Sequence, residues 1–127
     1  MARCSKITTT TGTVTATLLA GGSASFFYGL CAVSAEAAVW YVKLYWEGTG
    51  VQTPTSANQQ VATTLPSAGT TAASLTIPIP AAGLALATSP VPINNGARIW
   101  YWISATPGDG AQTALTTGGD LVTMIYD

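Results

Sequence analysis

The stretch Val39-Trp40-Tyr41-Val42-Lys43-Leu44-Tyr45-Trp46 decides how this chain folds. In an extended strand, residues two apart share a face. Trp40, Val42, Leu44 and Trp46 therefore point one way, and Tyr41, Lys43 and Tyr45 the other. Aromatic and β-branched side chains suit a pleated, half-buried surface. The first face is a core face. The charge on Lys43 turns the second toward solvent or a partner.

A second aromatic stretch, residues 98–104, leaves its orientation open. Arg98, Trp100 and Trp102 share one face, opposite Ile99, Tyr101 and Ile103. Each face is apolar enough to be core, so one apolar side needs cover. That cover is either a second sheet of the same domain or a partner protein, because Tyr, Trp and Arg dominate interface hot spots. Sugar stacking on the rings is a third use.

Working outward, Val14, Ala16 and Leu18 alternate with Thr13, Thr15 and Thr17, which reads as a half-buried strand over 13–19. Ala20-Gly21-Gly22-Ser23 is a turn, residues 24–33 a second strand, and Ser34-Ala35-Glu36 its end. Residues 48–69, rich in Gly, Thr, Pro, Ser, Asn and Gln, read as a long loop with a short strand at 61–65. Leu75, Ile77 and Ile79 alternate with Thr76, Pro78 and Pro80. Proline cannot donate to a ladder, so this is an edge strand or a ladder's end. After Ala81-Ala82-Gly83, Leu84 and Leu86 mark a short strand, and Asn94-Asn95-Gly96 is a turn. Pro107-Gly108-Asp109-Gly110 and Thr117-Gly118-Gly119-Asp120 bracket a loop before a closing strand at 121–126. With turn signals spaced roughly every eight to twelve residues and no helical period, the fold is all-β. We expect a single antiparallel β-sandwich, jelly-roll or Ig-like, of about seven to nine strands without significant helix. Residues 12–127 form the domain, and residues 1–11 an N-terminal arm that orders on assembly.

Composition sets the surface problem. The chain has 127 residues, of which 48% are hydrophobic and only 7% charged, against roughly 25% charged in an ordinary soluble domain. Four basic and five acidic residues must serve a surface of about 6,300 Å² by mass scaling. Mean hydropathy is +0.38 and pI about 5.0. Net charge is −1, so copies of the chain do not repel one another. Nucleic-acid binding is excluded for want of basic stripes, and disorder is disfavoured by high hydrophobicity at low net charge. Residues 18–35 are largely apolar, but Gly21, Gly22, Ser23, Ser25, Gly29 and Ser34 interrupt them, so no membrane span is expected. Arg3 and Lys6 precede a threonine run (Thr8, Thr9, Thr10, Thr11) and not the apolar run of a signal peptide.

Catalytic chemistry has little to draw on. There is no histidine, which removes the commonest general base and metal ligand. Cys4 and Cys31 have no metal or redox spacing. Cys31 reads as a buried thiol, and whether the two bridge depends on distances the sequence leaves open. Glu36, Glu47, Asp109, Asp120 and Asp127 are isolated carboxylates. Asp109 and Asp120 read as turn residues bonding their own backbone, with a calcium site the sharper alternative. We expect no enzyme, no cofactor and no metal.

The succession Val39-Trp40-Tyr41-Val42-Lys43-Leu44-Tyr45, Leu75-Thr76-Ile77-Pro78-Ile79-Pro80-Ala81, Pro92-Ile93-Asn94-Asn95-Gly96 and Asp120-Leu121-Val122 resembles a family of small virion proteins of tailed bacteriophages. Leu121-Val122-Thr123-Met124-Ile125-Tyr126 occupies the place of the family's closing strand. The likeness runs from around Thr10 to the C-terminus. It does not include residues 1–11, and residues 51–73 are longer than the family's loop. The resemblance implies a β-sandwich structural protein that decorates or cements the capsid exterior by bridging subunits of the major capsid protein. It implies a virion location after synthesis in the host cytoplasm, and a homo-oligomer, most simply a trimer, with a dimer the alternative. Partner contact is expected from Arg3 and Lys6 on the arm and from Tyr41, Lys43, Tyr45, Trp100 and Trp102 on the aromatic faces. No nucleic acid or membrane partner is expected. The competing reading is a tail- or fibre-associated module that recognises host-surface carbohydrate.

Overall fold

A computed structural model describes residues 2–9, 17–46, 73–91, 98–107 and 113–127. Its strands are β1 (Arg3–Thr8), β2 (Thr17–Leu18), β3 (Phe27–Val33), β4 (Trp40–Trp46), β5 (Ala73–Ile79), β6 (Leu84–Val91), β7 (Ile99–Ser104) and β8 (Leu121–Tyr126). They form two antiparallel four-stranded sheets, ordered β1-β8-β3-β6 and β2-β7-β4-β5. The pairs β1–β8, β2–β7, β3–β6 and β4–β5 are those of one long hairpin, with the first strand on the last. Rolling that hairpin adds β3–β8 and β4–β7 and splits it into two facing sheets. This is the jelly-roll order. Among the described residues the only helical element is a 3-10 turn, Leu19–Gly22.

The two sheets meet through the residues that the period of two places inward. Phe27, Leu30, Ala32, Val122, Met124 and Tyr126 come from the first sheet, and Trp40, Val42, Leu44, Ile79, Ile99 and Ile103 from the second. Burying each large side chain contributes about 1.5–3 kcal/mol. This decides the orientation of β7: Ile99 and Ile103 face the core, and Trp100 and Trp102 face away. In β3, Phe27 and Leu30 are both buried although three residues apart. A bulge between Phe27 and Gly29, at Tyr28, absorbs the odd residue and restores the phase.

The expected strands over 39–46, 98–104 and 121–126 are present to within a residue at each end. β5 lies at a sheet edge, as Pro78 requires. The strand read over 24–33 starts only at Phe27, because Ser25 and Phe26 donate their N–H groups to the Asp127 carbonyl outside the ladder. Residues 13–16, the strand at 61–65, the Asn94-Asn95-Gly96 turn and the Asp109 turn lie outside the described residues.

Two expectations change, for Arg3–Thr8 and for Cys31, and the open question of a Cys4–Cys31 bridge is answered. Arg3–Thr8, read as part of an arm, is instead the edge strand β1, paired with β8 along its whole length. Its polar, cation-containing sequence carries only a weak alternation, and its pairing partner lies at the far end of the chain. Cys4 and Cys31 are both free thiols. β8 lies between their strands, so their backbones are two strand spacings, roughly 9.6 Å, apart, too far for a disulfide. Cys31 is half-buried and not sealed in the core, because it sits on the outer face of its sheet.

Candidate interaction surface

One end of the sandwich is closed by two buried carboxylates. Glu36, in the β3–β4 connection, is 4% exposed, and Asp120, just before β8, is 1% exposed. Glu36 Oε1 accepts the Thr117 N–H at 2.9 Å and the Gly118 N–H at 2.7 Å, and Oε2 accepts the Thr116 hydroxyl at 2.9 Å. Burial pushes this carboxyl up, but the bonds from Gly118, Thr116 and Thr117 outweigh it and hold its pKa below the ordinary value. Asp120 Oδ2 accepts the Thr9 hydroxyl at 2.7 Å, and Oδ1 accepts the Ala35 N–H. Asp120 thus ties distant segments together and does not cap its own turn, as was expected of it. Ser34 Oγ accepts the buried Trp40 Nε1–H at 2.8 Å. All four carboxylate oxygens hold donors, so the arrangement locks loops. Among the described residues no group of three His, Cys, Asp or Glu is placed to hold a metal ion.

The other end is closed by Arg3. Its guanidinium lies 4.9 Å from the Tyr126 ring centre and donates to Ser23 Oγ and the Ser23 carbonyl, each at 3.0 Å. Ser5 and Tyr126 hydroxyls lie 2.9 Å apart beside it. Arg3, expected to touch a partner, therefore makes its contacts within the chain.

On the second sheet, register places Thr76, Lys43 and Trp102 in one row across β5, β4 and β7, on the face away from the core. This face was expected to meet solvent or a partner. In the structure Lys43 and Trp102 are each only 2% exposed, so the folded chain itself covers them and they are not offered to a partner. The Trp102 Nε1–H is buried without a hydrogen-bond partner. Tyr41 and Trp100 are half-buried, and the Tyr45 side chain lies outside the described residues. The Arg98 guanidinium sits 5.9 Å from the Trp100 ring centre. Its stem passes so close to Gly22 (φ +92°) that a Cβ there would lie 3.1 Å from Arg98 Cδ.

The first sheet presents a different outer face. Its rows are Thr8–Leu121–Val33, Lys6–Thr123–Cys31 and Cys4–Ile125–Gly29, read across β1, β8 and β3. Leu121, Ile125 and Cys31 are half-buried, Val33 is 51% exposed, and Cys4, Lys6 and Thr8 are exposed. Phe26, also exposed, lies beside Tyr28 with ring centres 6.5 Å apart and planes at 20°. Of the expected contact residues, Lys6 alone belongs to this face. The alternation in Leu121-Val122-Thr123-Met124-Ile125-Tyr126 was a signal for Leu121 and Ile125, but both alternating sets are mostly apolar, so the sequence did not mark which faced out.

No family model, curated protein or solved structure matches the chain. No helix among the described residues is long and apolar enough to cross a membrane.

Proposed function

We propose that this chain is a structural component of a virus particle that binds the exterior of an assembled capsid and bridges neighbouring subunits of the major capsid protein. The observation carrying this reading is the depletion of surface charge. Of the seven charged residues described, Glu36, Lys43 and Asp120 are buried, which leaves a surface of 6230 Å² sparser in charge than its composition already implied. The outer face of the first sheet, with Leu121, Ile125, Cys31 and Val33 around a single cation, Lys6, suits cover by a large, weakly charged partner. The resemblance to small phage virion proteins supplies the kind of partner. Jelly rolls serve both viral shells and sugar-binding lectins, so the fold does not choose between these readings.

The test is the copy number of the chain in purified particles. Stoichiometry at a fixed ratio to the major capsid protein supports the capsid reading. A handful of copies per particle overturns it in favour of the tail- or fibre-associated reading. The Phe26–Tyr28 ring pair favours that second reading, as a platform for host-surface carbohydrate, and glycan-array binding by the isolated chain tests it.

A further inference from the structure

Among the described residues each sheet of the sandwich has two edge strands, and they differ in what they offer. β5 carries Pro78 and β6 carries Pro90, residues that keep other strands from adding to an edge. The described part of β2 is two residues long. β1 is six residues long and free of proline. Among the described residues β1 pairs with β8 alone, and Arg3, Cys4, Lys6 and Thr8 are all exposed.

The direction of its backbone groups follows from Thr9. The Thr9 N–H donates to the Asp120 carbonyl, and its own carbonyl accepts the Gly119 N–H, each at 2.9 Å. Both groups of Thr9 therefore point toward β8. Because these directions alternate along an antiparallel strand, the groups of Arg3, Ser5 and Ile7 also point toward β8. Those of Cys4, Lys6 and Thr8 point away, onto the open edge. An extended segment laid along β1 meets three N–H and three C=O groups in strand register. It also meets the Lys6 ammonium at the centre of the row.

We propose that β1 is an acceptor edge for an extended, proline-free segment of the partner that carries a carboxylate opposite Lys6, joining the first sheet as a fifth strand beside Arg3–Thr8. Charge selects this occupant over a second copy of the chain. Two antiparallel β1 strands that use all three outward-pointing residues, Cys4 against Thr8, set Lys6 directly against Lys6, and like charges directly opposite are destabilising. The inference deepens the capsid reading by naming the contact, and its chemistry is testable without the capsid.

The experiment follows amide hydrogen exchange by NMR in the wild-type chain. The probes are a soluble, blocked Thr/Val peptide with one central glutamate and the same peptide with lysine in its place. In the free chain, the amides of Cys4, Lys6 and Thr8 exchange fast and those of Ser5 and Ile7 slowly. With the glutamate peptide, exchange at Cys4, Lys6 and Thr8 slows about tenfold or more, and the lysine peptide has no such effect. In the Lys6→Glu variant the preference reverses. Protection of the Cys4, Lys6 and Thr8 amides in the free chain, no response to either peptide, or protection that grows only with the chain's own concentration each overturns the proposal. Peptide protection together with a low copy number in particles sustains the edge while removing the capsid reading.

Discussion

Thr9 and Asp120, 111 residues apart, hold each other reciprocally: the Thr9 hydroxyl donates to Asp120 Oδ2 at 2.7 Å and accepts the Asp120 backbone N–H at 2.9 Å. The Thr9 N–H closes a third bond, to the Asp120 carbonyl. Both residues are buried. The contact lies where the first strand of the rolled hairpin is joined to the last, so it closes the roll.

Asp120→Ala strands the Thr9 hydroxyl and the Ala35 N–H without their acceptor, and should cost about 2–4 kcal/mol. Thr9→Val should cost about 1–2 kcal/mol. Because the two changes remove a shared bond, the double variant should lose less than the sum of the singles. Additive losses in urea melts would show that the contact is energetically idle.

Stability should fall in acid through Glu36. Its folded pKa lies below the ordinary 4.5, because bonds from Gly118, Thr116 and Thr117 overcome the opposing effect of burial. Such a group contributes stability in full above pH 4.5 and loses it as pH falls through the folded value. Glu36→Gln should be less stable at neutral pH and show a flatter acid limb than the wild type. A parallel acid limb in denaturation curves taken from pH 7 to pH 3 would refute this. Tyr101 works in the opposite sense. Burial raises its phenol above 10 against a smaller lowering by the Thr17 hydrogen bond. Stability is therefore full below pH 10 and lost as pH rises through the folded value, a loss that Tyr101→Phe should remove.

Two buried tryptophans make a matched pair. Trp40 Nε1 donates to Ser34 Oγ at 2.8 Å, whereas Trp102 Nε1 has no partner. Replacing either with Phe removes similar volume, but only Trp40→Phe breaks a hydrogen bond. Trp40→Phe should therefore cost about 1 kcal/mol more than Trp102→Phe. Equal losses by chemical denaturation would mean that volume alone governs both sites.

Mild oxidation should leave the chain without an internal Cys4–Cys31 bridge, since β8 separates the two strands. Cys4, which is exposed, should react with a thiol reagent faster than half-buried Cys31. Mass spectrometry of a non-reduced digest reads both points, and an internal bridge would contradict the strand order.

A charge placed on the outer face of the first sheet should separate binding from folding. Val33→Glu changes a residue that is 51% exposed, so its effect on the melt should stay within about 0.5 kcal/mol. Particle occupancy should drop sharply, because an unpaired carboxylate would then be buried at the interface. Wild-type occupancy would move the contact to another face.

Much of the strand pattern was legible because alternation is local. Trp40, Val42 and Leu44 declared the core face of β4 within a single stretch, and Pro78 declared an edge by lacking a donor. The sites were less legible. Glu36 and Asp120 looked like isolated carboxylates, because their donors at Thr9, Ala35 and Thr116 to Gly118 are remote in sequence and of types that occur everywhere in the chain. Lys43 looked outward because a charge usually is, and the expectation ignored what the rest of the chain lays over that face.

The sequence by itself determined the all-β class, most of the strands and the scarcity of charge, since these depend on residue type and on a period of two. Only the tertiary structure decided the jelly-roll order, the burial of Lys43 and Trp102, the inward face of β7 and the place of β1. Each of these rests on pairing between segments far apart in the chain. Such pairing is chosen by the burial of whole sheets against each other, and no short stretch of sequence carries that information.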